Sequence, residues 1–213
     1  MLTIKTFAVN MVEENTYVVS DETRAALIVD CGAYSPDERE ALAQYIEQEG
    51  LTVTGLINTH GHFDHVFGLQ WAAEKYGVEL AIAEDELDNY RHAAEYMVAF
   101  MRRGVAFDVP QPARLLHEGD TITLGNHTLR VIATPGHTPG GICVYDEKDG
   151  VIFTGDSLLQ ANIGRCDLPG GDLQSLVDSL QSKVLTLPEE VVVYPGHGPT
   201  TTVGFERINN PYL

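Results

Sequence analysis

"TVTGLINTHGHFDHVFG", residues 52–68, begins as a β-strand and ends as a cluster of donors. Val53, Leu56 and Ile57 belong to a short apolar run of the kind that forms a buried strand. Within the next few positions come His60, His62, Asp64 and His65, three of the chain's eight histidines and a carboxylate, with Gly61 between the first two. His60 and His62 are two apart, so an extended chain directs both imidazoles to one side. Asp64 and His65 fall where "DHVFGLQWAAEKYG" (64–77) turns into a predicted helix closed by Gly77, so they approach from another direction. So short a segment cannot easily wrap four donors around one ion. It can offer a pair to each of two adjacent ions.

Three later segments repeat the form of strand, then glycine, then donor. "TPGHTPGG" (134–141) carries His137, "FTGDSL" (153–158) carries Asp156, and "YPGHGP" (194–199) carries His197. Alone, each is an ordinary turn sequence; together they read as a rigid scaffold presenting groups at one sheet edge. Counting then gives two sets. His60, His62 and His137 form one trio, Asp64, His65 and His197 the other, and Asp156 can bridge them. Nitrogen-rich sites with a few carboxylates take divalent ions, zinc first, with iron and manganese also suited. A water between two such ions loses its proton near neutral pH and becomes a nucleophile. Asp64 is the residue expected to orient it as well as to ligate, and is the candidate catalytic group.

Around these motifs the chain reads as α/β. "LTIKTFAV" (2–9), "TYVVS" (16–20) and "AALIVD" (25–30) are strand-like, with "EEN" and "DETR" between them as turns. "SPDEREALAQYIEQEG" (35–50) has an N-cap in Ser35, Pro36 in the first turn, a capping box completed by Glu38, and Gly50 at its end. After a strand at 78–83, Leu87, Tyr90, Ala94, Met97, Val98 and Met101 recur at helical spacing across 85–103. Residues 105–116 read as an irregular connector. Strands return at 120–124, 127–134, 141–146 and 150–156, then a helix at 171–187, a strand at 190–198 and a short tail. Two β-rich halves, each with helices after its strands, predict two sheets packed face to face with helices outside.

Composition bounds the rest. A chain of 213 residues with 44% hydrophobic content fits one domain, 1–213, with a proper core. Thirteen Lys and Arg against 31 Asp and Glu give a formal charge of −18. Such a surface repels phosphate backbones and acidic lipid, so neither nucleic acid nor membrane is expected as a partner. No apolar run approaches the roughly 20 residues that span a bilayer. The N-terminus does not read as a secretory signal, and the expected compartment is the cytoplasm. Cys31, Cys143 and Cys166 are widely spaced and form no C-x-x-C pair, so reduced thiols are expected. His92, His117 and His127 have no partners at ligand spacing and read as solvated or hydrogen-bonded. The oligomeric state is left open.

The motifs resemble those of the metallo-β-lactamase superfamily. "THGHFDH" matches its H-x-H-x-D-H motif, and His137, Asp156 and His197 match its later ligands in order. "VDCG", with Asp30 and Gly32, resembles the early Asp-x-Gly turn of that fold, and "GRCDLPGGD" (164–172) is similar to a loop of the glyoxalase II-like branch. The resemblance implies a four-layer αββα sandwich with two metals at the sheet edge between the halves. Within the family the chain looks like a small single-domain, hydroxyacylglutathione hydrolase-like enzyme. That implies a small-molecule thioester substrate, of glutathione or another low-molecular-weight thiol, opened by a metal-bridging hydroxide. Mononuclear iron persulfide dioxygenases share the same ligand motif and a similar Gly-Arg loop, and are the alternative. Arg165, in that loop, is the candidate for holding a substrate carboxylate. Asp30 is expected to support a ligand from behind rather than to ligate.

Overall fold

Side-chain alternation builds two sheets and decides which face of each is inside. In a computed structural model, which describes residues 1–102 and 107–213, the first sheet runs β1 (Thr3–Val9), β2 (Glu14–Ser20), β3 (Ala25–Val29), β4 (Thr52–Asn58), β5 (Leu80–Ala83) and β6 (Arg114–Leu116), in that spatial order. Its first three strands are antiparallel and β3 to β6 are parallel. The second half contributes β7 (Thr121–Leu124), β8 (His127–Ala133), β9 (Ile142–Asp146), β10 (Val151–Gly155), a small hairpin of β11 (Leu158–Leu159) and β12 (Asn162–Ile163), β13 (Val192–Pro195) and β14 (Thr201–Thr202). Its main sheet has the order β14-β13-β10-β9-β8-β7, and β10 pairs with β13 in parallel.

Tyr17, Val19, Leu27, Val29 and Ile57 of the first sheet meet Leu129, Val131, Val144 and Phe153 of the second in one buried cluster. Their sequence neighbours face outward. Val18, Ile28 and Leu56 pack under α1 (Pro36–Gln48), α2 (Phe63–Val66), α3 (Leu69–Tyr76), α4 (Leu87–Arg91) and α5 (Ala93–Met101). Cys143, Tyr145 and Ile152 pack under α6 (Leu173–Ser179) and the start of α7 (Val203–Asn209). Burying both faces of each sheet yields the four layers αββα, the fold expected. Among the described residues no helix is long and apolar enough to cross a membrane.

Local readings differ from the structure in six places. "EEN" is not wholly a turn, since Glu14 and Asn15 begin β2 opposite Val9 and Ala8. The helix predicted over 64–77 is split. The Asp64 carbonyl accepts from Asn10 Nδ2 (2.9 Å) and Gly68 N–H donates to the Cys31 carbonyl (2.8 Å), which interrupts the helical ladder between α2 and α3. The stretch predicted as one helix over 85–103 is a 3-10 turn at Glu84–Glu86, then α4 and α5 meeting at His92; its last residue and the start of the 105–116 connector lie outside the described residues. That connector ends in β6, and the tail holds α7, capped by Thr202, whose Oγ1 accepts from Phe205 N–H at 3.1 Å. The 171–187 helix is α6 followed by a wider π turn at Leu180–Val184.

Candidate metal centre

All seven candidate ligands lie just past the C-terminal ends of four strands. His60, His62, Asp64 and His65 follow β4, His137 lies in the loop after β8, Asp156 follows β10 directly, and His197 follows β13. His62 is the residue before α2, and Asp64 and His65 lie within it, which turns their side chains away from those of the preceding strand. His60, His62 and His137 converge so that one donor atom from each lies within 4.8 Å of the others, and so do Asp64, His65 and His197. Each trio takes its members from both halves of the chain.

The separations fit coordination. Metal–ligand bonds of about 2.0–2.1 Å in a tetrahedron place neighbouring donors about 3.3 Å apart. His137 Nε2 is 3.0 Å from His62 Nδ1, and His197 Nε2 is 3.1 Å from Asp64 Oδ2. His65 Nε2 is 3.7 Å from Asp64 Oδ2. Asp156 stands between the sets, with Oδ1 3.5 Å from His65 Nε2 and Oδ2 3.6 Å from both His137 Nε2 and His197 Nε2. His60 Nε2, His65 Nε2 and Asp156 Oδ1 are buried with no hydrogen-bond partner. Orphaned polar atoms carry a cost of desolvation, and an ion among them would remove it. The donor set therefore fits divalent metal.

The far nitrogens are already engaged. Thr59 Oγ1 donates to Asp30 Oδ2 (2.7 Å) and so accepts from His60 Nδ1 (3.0 Å). His65 Nδ1 lies 3.1 Å from the same Asp30 oxygen, His137 Nδ1 2.7 Å from the Arg165 carbonyl, and His197 Nδ1 3.1 Å from the Val12 carbonyl. Each of these contacts fixes the tautomer that leaves Nε2 free to coordinate. Asp30 thus braces a histidine of each trio from behind, His65 directly and His60 through Thr59.

Electrostatics separates the two sets. Burial, reinforced by neighbouring imidazoles, holds His60 well below its ordinary value and His62 down to about 4, and burial also lowers His137. Burial opposes charge on His65 and His197 as well, but Asp64 and Asp156 outweigh it and raise both. Burial alone would raise Asp64 and Asp156; His65 and His197 hold both carboxyls low instead. The first trio is all imidazole, and the second pairs two imidazoles with the carboxylate of Asp64.

Arg165 is half-exposed beside this rim. Its Nε and Nη2 meet Asp167 at 2.7 and 2.8 Å, and its side chain lines two clefts. One, about 300 Å³, has His62, Phe63, Tyr96 and Leu168 in its walls. The other, about 650 Å³, has Asp156, Cys166 and His197. His127, expected to be hydrogen-bonded, is buried against Asp146 (2.8 Å), and His92 and His117 stay near the surface beside Asp88 and Glu84.

Sequence reading missed two buried acids beside the candidate ligands. Glu14 is fully buried, with Oε1 3.7 Å from His65 Nδ1 and Oε2 accepting from Thr16 Oγ1 (2.9 Å). Glu86 is fully buried beside the loops that carry the first trio. In a chain this acidic, neither stands out from the surface glutamates.

An αββα sandwich with histidine and aspartate donors on the rim where its sheets meet defines a class of metal-binding α/β proteins. The chain belongs to the metallo-beta-lactamase superfamily, whose family model matches residues 10–197. It is 33% identical over 218 residues to the hydroxyacylglutathione hydrolase GloC of Haemophilus influenzae, covering 100% of this chain and 98% of the relative. Among solved structures, BLEG-1 B3 metallo-beta-lactamase superposes with a TM-score of 0.89 at 34% identity, covering 99% of both chains. TTHA1623 in a di-iron-bound form superposes at 0.87 with 34% identity, covering 98% of this chain and all of that one (100%).

Proposed function

We propose that the protein is a metal-dependent hydrolase that cleaves a small thioester, of glutathione or another low-molecular-weight thiol, using two divalent ions. The observation that carries this reading is the pair of donor trios with Asp156 reaching toward both. His60, His62 and His137 would hold one ion, and Asp64, His65 and His197 the other. Zinc suits the nitrogen-rich set, and iron or manganese is compatible with it. When bound, such ions polarise a carbonyl and lower the pKa of a water. His65 and His197 hold the Asp64 carboxyl low against burial, which suits it to accept a hydrogen bond from the attacking water and set its direction. Phe63, Tyr96 and Leu168 provide an apolar wall beside His62 that limits solvent around the reacting carbonyl. The leaving thiol departs as a thiolate, so a strong general acid is not required. Residues 1–213 read as one domain, because the central cluster draws on both halves, and the free thiols suit the reducing cytoplasm.

Protein purified without added metal should carry two ions per chain and hydrolyse acyl thioesters. One iron per chain, O₂ consumption with glutathione persulfide, and no thioester hydrolysis when loaded with zinc would establish the dioxygenase alternative instead. Hydrolysis of β-lactams with thioesters untouched would equally remove the thioesterase reading.

Arg165 is assigned the substrate's anionic end, since it lines both clefts. A carboxylate there replaces Asp167 as the bidentate partner. Arg165→Ala should raise KM for a carboxylated thioester by roughly 10-fold, about 1.4 kcal/mol. Metal content should not change, because His137 is held by the Arg165 backbone carbonyl, which the substitution keeps. An unaltered KM would remove Arg165 from the binding site.

A further inference from the structure

Glu86 stands in neither trio, yet it touches both loops of one of them. It is fully buried. Its Oε1 accepts from the Gly61 N–H at 2.8 Å and from Asn89 Nδ2 at 3.1 Å, and its Oε2 accepts from the Gly140 N–H at 2.9 Å. Gly61 is the residue between His60 and His62, and Gly140 lies three residues after His137. One carboxylate therefore ties together the two segments that supply the first trio, one from each half of the fold.

The backbone is built around this contact. A Cβ on Gly61 would lie 2.5 Å from the Tyr90 nitrogen, and one on Gly140 would lie 2.2 Å from the Glu86 nitrogen. Neither loop could rest against the 86–90 segment with a larger residue there. Among the described residues Glu86 has no ion-pair partner, and a buried carboxylate without a cation is costly unless N–H donors surround it. A carboxylate suits three donors because it only accepts; an amide would have to turn its own NH₂ toward one of them. The second trio is held by other contacts. Asp30 meets His65, the Val12 carbonyl meets His197, and Asn15 Nδ2 donates to the carbonyls on either side of His197, those of Pro195 (3.0 Å) and Gly198 (2.8 Å).

We infer that Glu86 is a positioning residue that sets the geometry of the His60, His62 and His137 trio by clamping both of its loops, and that the second trio does not depend on it. This rests on the two-ion reading above. Independent motion of the two loops would spread the three nitrogens beyond coordinating distance without the clamp. Supporting contacts of this kind are worth about 10- to 100-fold in metal affinity.

The test isolates each trio. His197→Ala disables the second trio and leaves the first, and His62→Ala does the reverse. Zinc affinity is then titrated against a chromophoric chelator in each background, with and without Glu86→Gln. Glu86→Gln should weaken zinc by about 10- to 100-fold in the His197→Ala chain and leave the His62→Ala chain within the error of the titration. Glu86→Asp, still a pure acceptor but one methylene too short to span both loops, should weaken the same site, and it replaces Glu86→Gln if that variant does not fold. Unchanged zinc affinity in the His197→Ala background overturns the inference. Equal weakening in both backgrounds also overturns it, because that is a general loosening of the fold. If the His197→Ala chain with Glu86 intact binds no zinc, the two-ion reading itself fails, and the inference with it.

Discussion

His65→Ala should release one of two bound ions and lower thioester hydrolysis by on the order of 10² or more, about 2.7 kcal/mol of lost transition-state stabilisation. His65 is fully buried, and its Nε2 faces Asp64 at 3.7 Å and Asp156 at 3.5 Å. Without the imidazole, the second set keeps Asp64 and His197, with Asp156 shared, and loses the one donor that is fully buried, so the ion is held less firmly. The vacated space would be lined by Asp30, Asp64, Asp156 and Glu14, four carboxyls that the imidazole separates at present. Metal analysis, steady-state kinetics and a circular-dichroism check of folding measure the effect together. A folded variant that keeps both ions and the parent rate would sink the assignment of His65 as a ligand.

Phe153→Ala is expected to cost about 3–5 kcal/mol of stability, a large part of the 5–15 kcal/mol typical of a folded chain. Phe153 is fully buried between the sheets, with ring centroids 5.2 Å from Tyr17 and 5.4 Å from Tyr194. Tyr17 reaches across the interface, its hydroxyl donating to the Pro195 carbonyl, so the cavity would open under one of the contacts that join the halves. Close packing on both faces leaves little room for relaxation. In urea the midpoint should fall while the slope stays the same, and Phe153→Leu should recover part of the loss. A change below about 1 kcal/mol would mean that this aromatic cluster does not hold the sheets together.

The sequence makes the donor set legible because chemistry and spacing coincide there. H-x-H-x-D-H leaves few structural alternatives, and glycine before His137, Asp156 and His197 marks strand ends. The sheets are legible because Tyr17, Val18 and Val19, like Leu27, Ile28 and Val29, must face alternate sides. What sequence hides is held by contacts far along the chain. The break between α2 and α3 depends on Asn10 reaching the Asp64 carbonyl, 54 residues away. Glu86 gains its role from Gly140, also 54 residues away, and in "AEDELDN" it is one of several acids at the start of the helix predicted over 85–103. β6 is three residues long, too short to show a period, and α7 lies in a tail whose apolar stripe is brief.

Each trio draws on both halves of the chain, and this matters for the persistence of the fold as well as for chemistry. A loaded ion in the first trio would join positions 75 residues apart, His62 and His137, and one in the second would join Asp64 and His197 across 133 residues. Reversible cross-links of that span restrict the unfolded chain much as disulfides do, without oxidation. The two sheets could then part only after an ion lets go, so bound metal would slow the first step of unfolding and of proteolytic attack. The lifetime of the protein would follow the local supply of metal, and starvation for metal would shorten it as surely as it stops turnover.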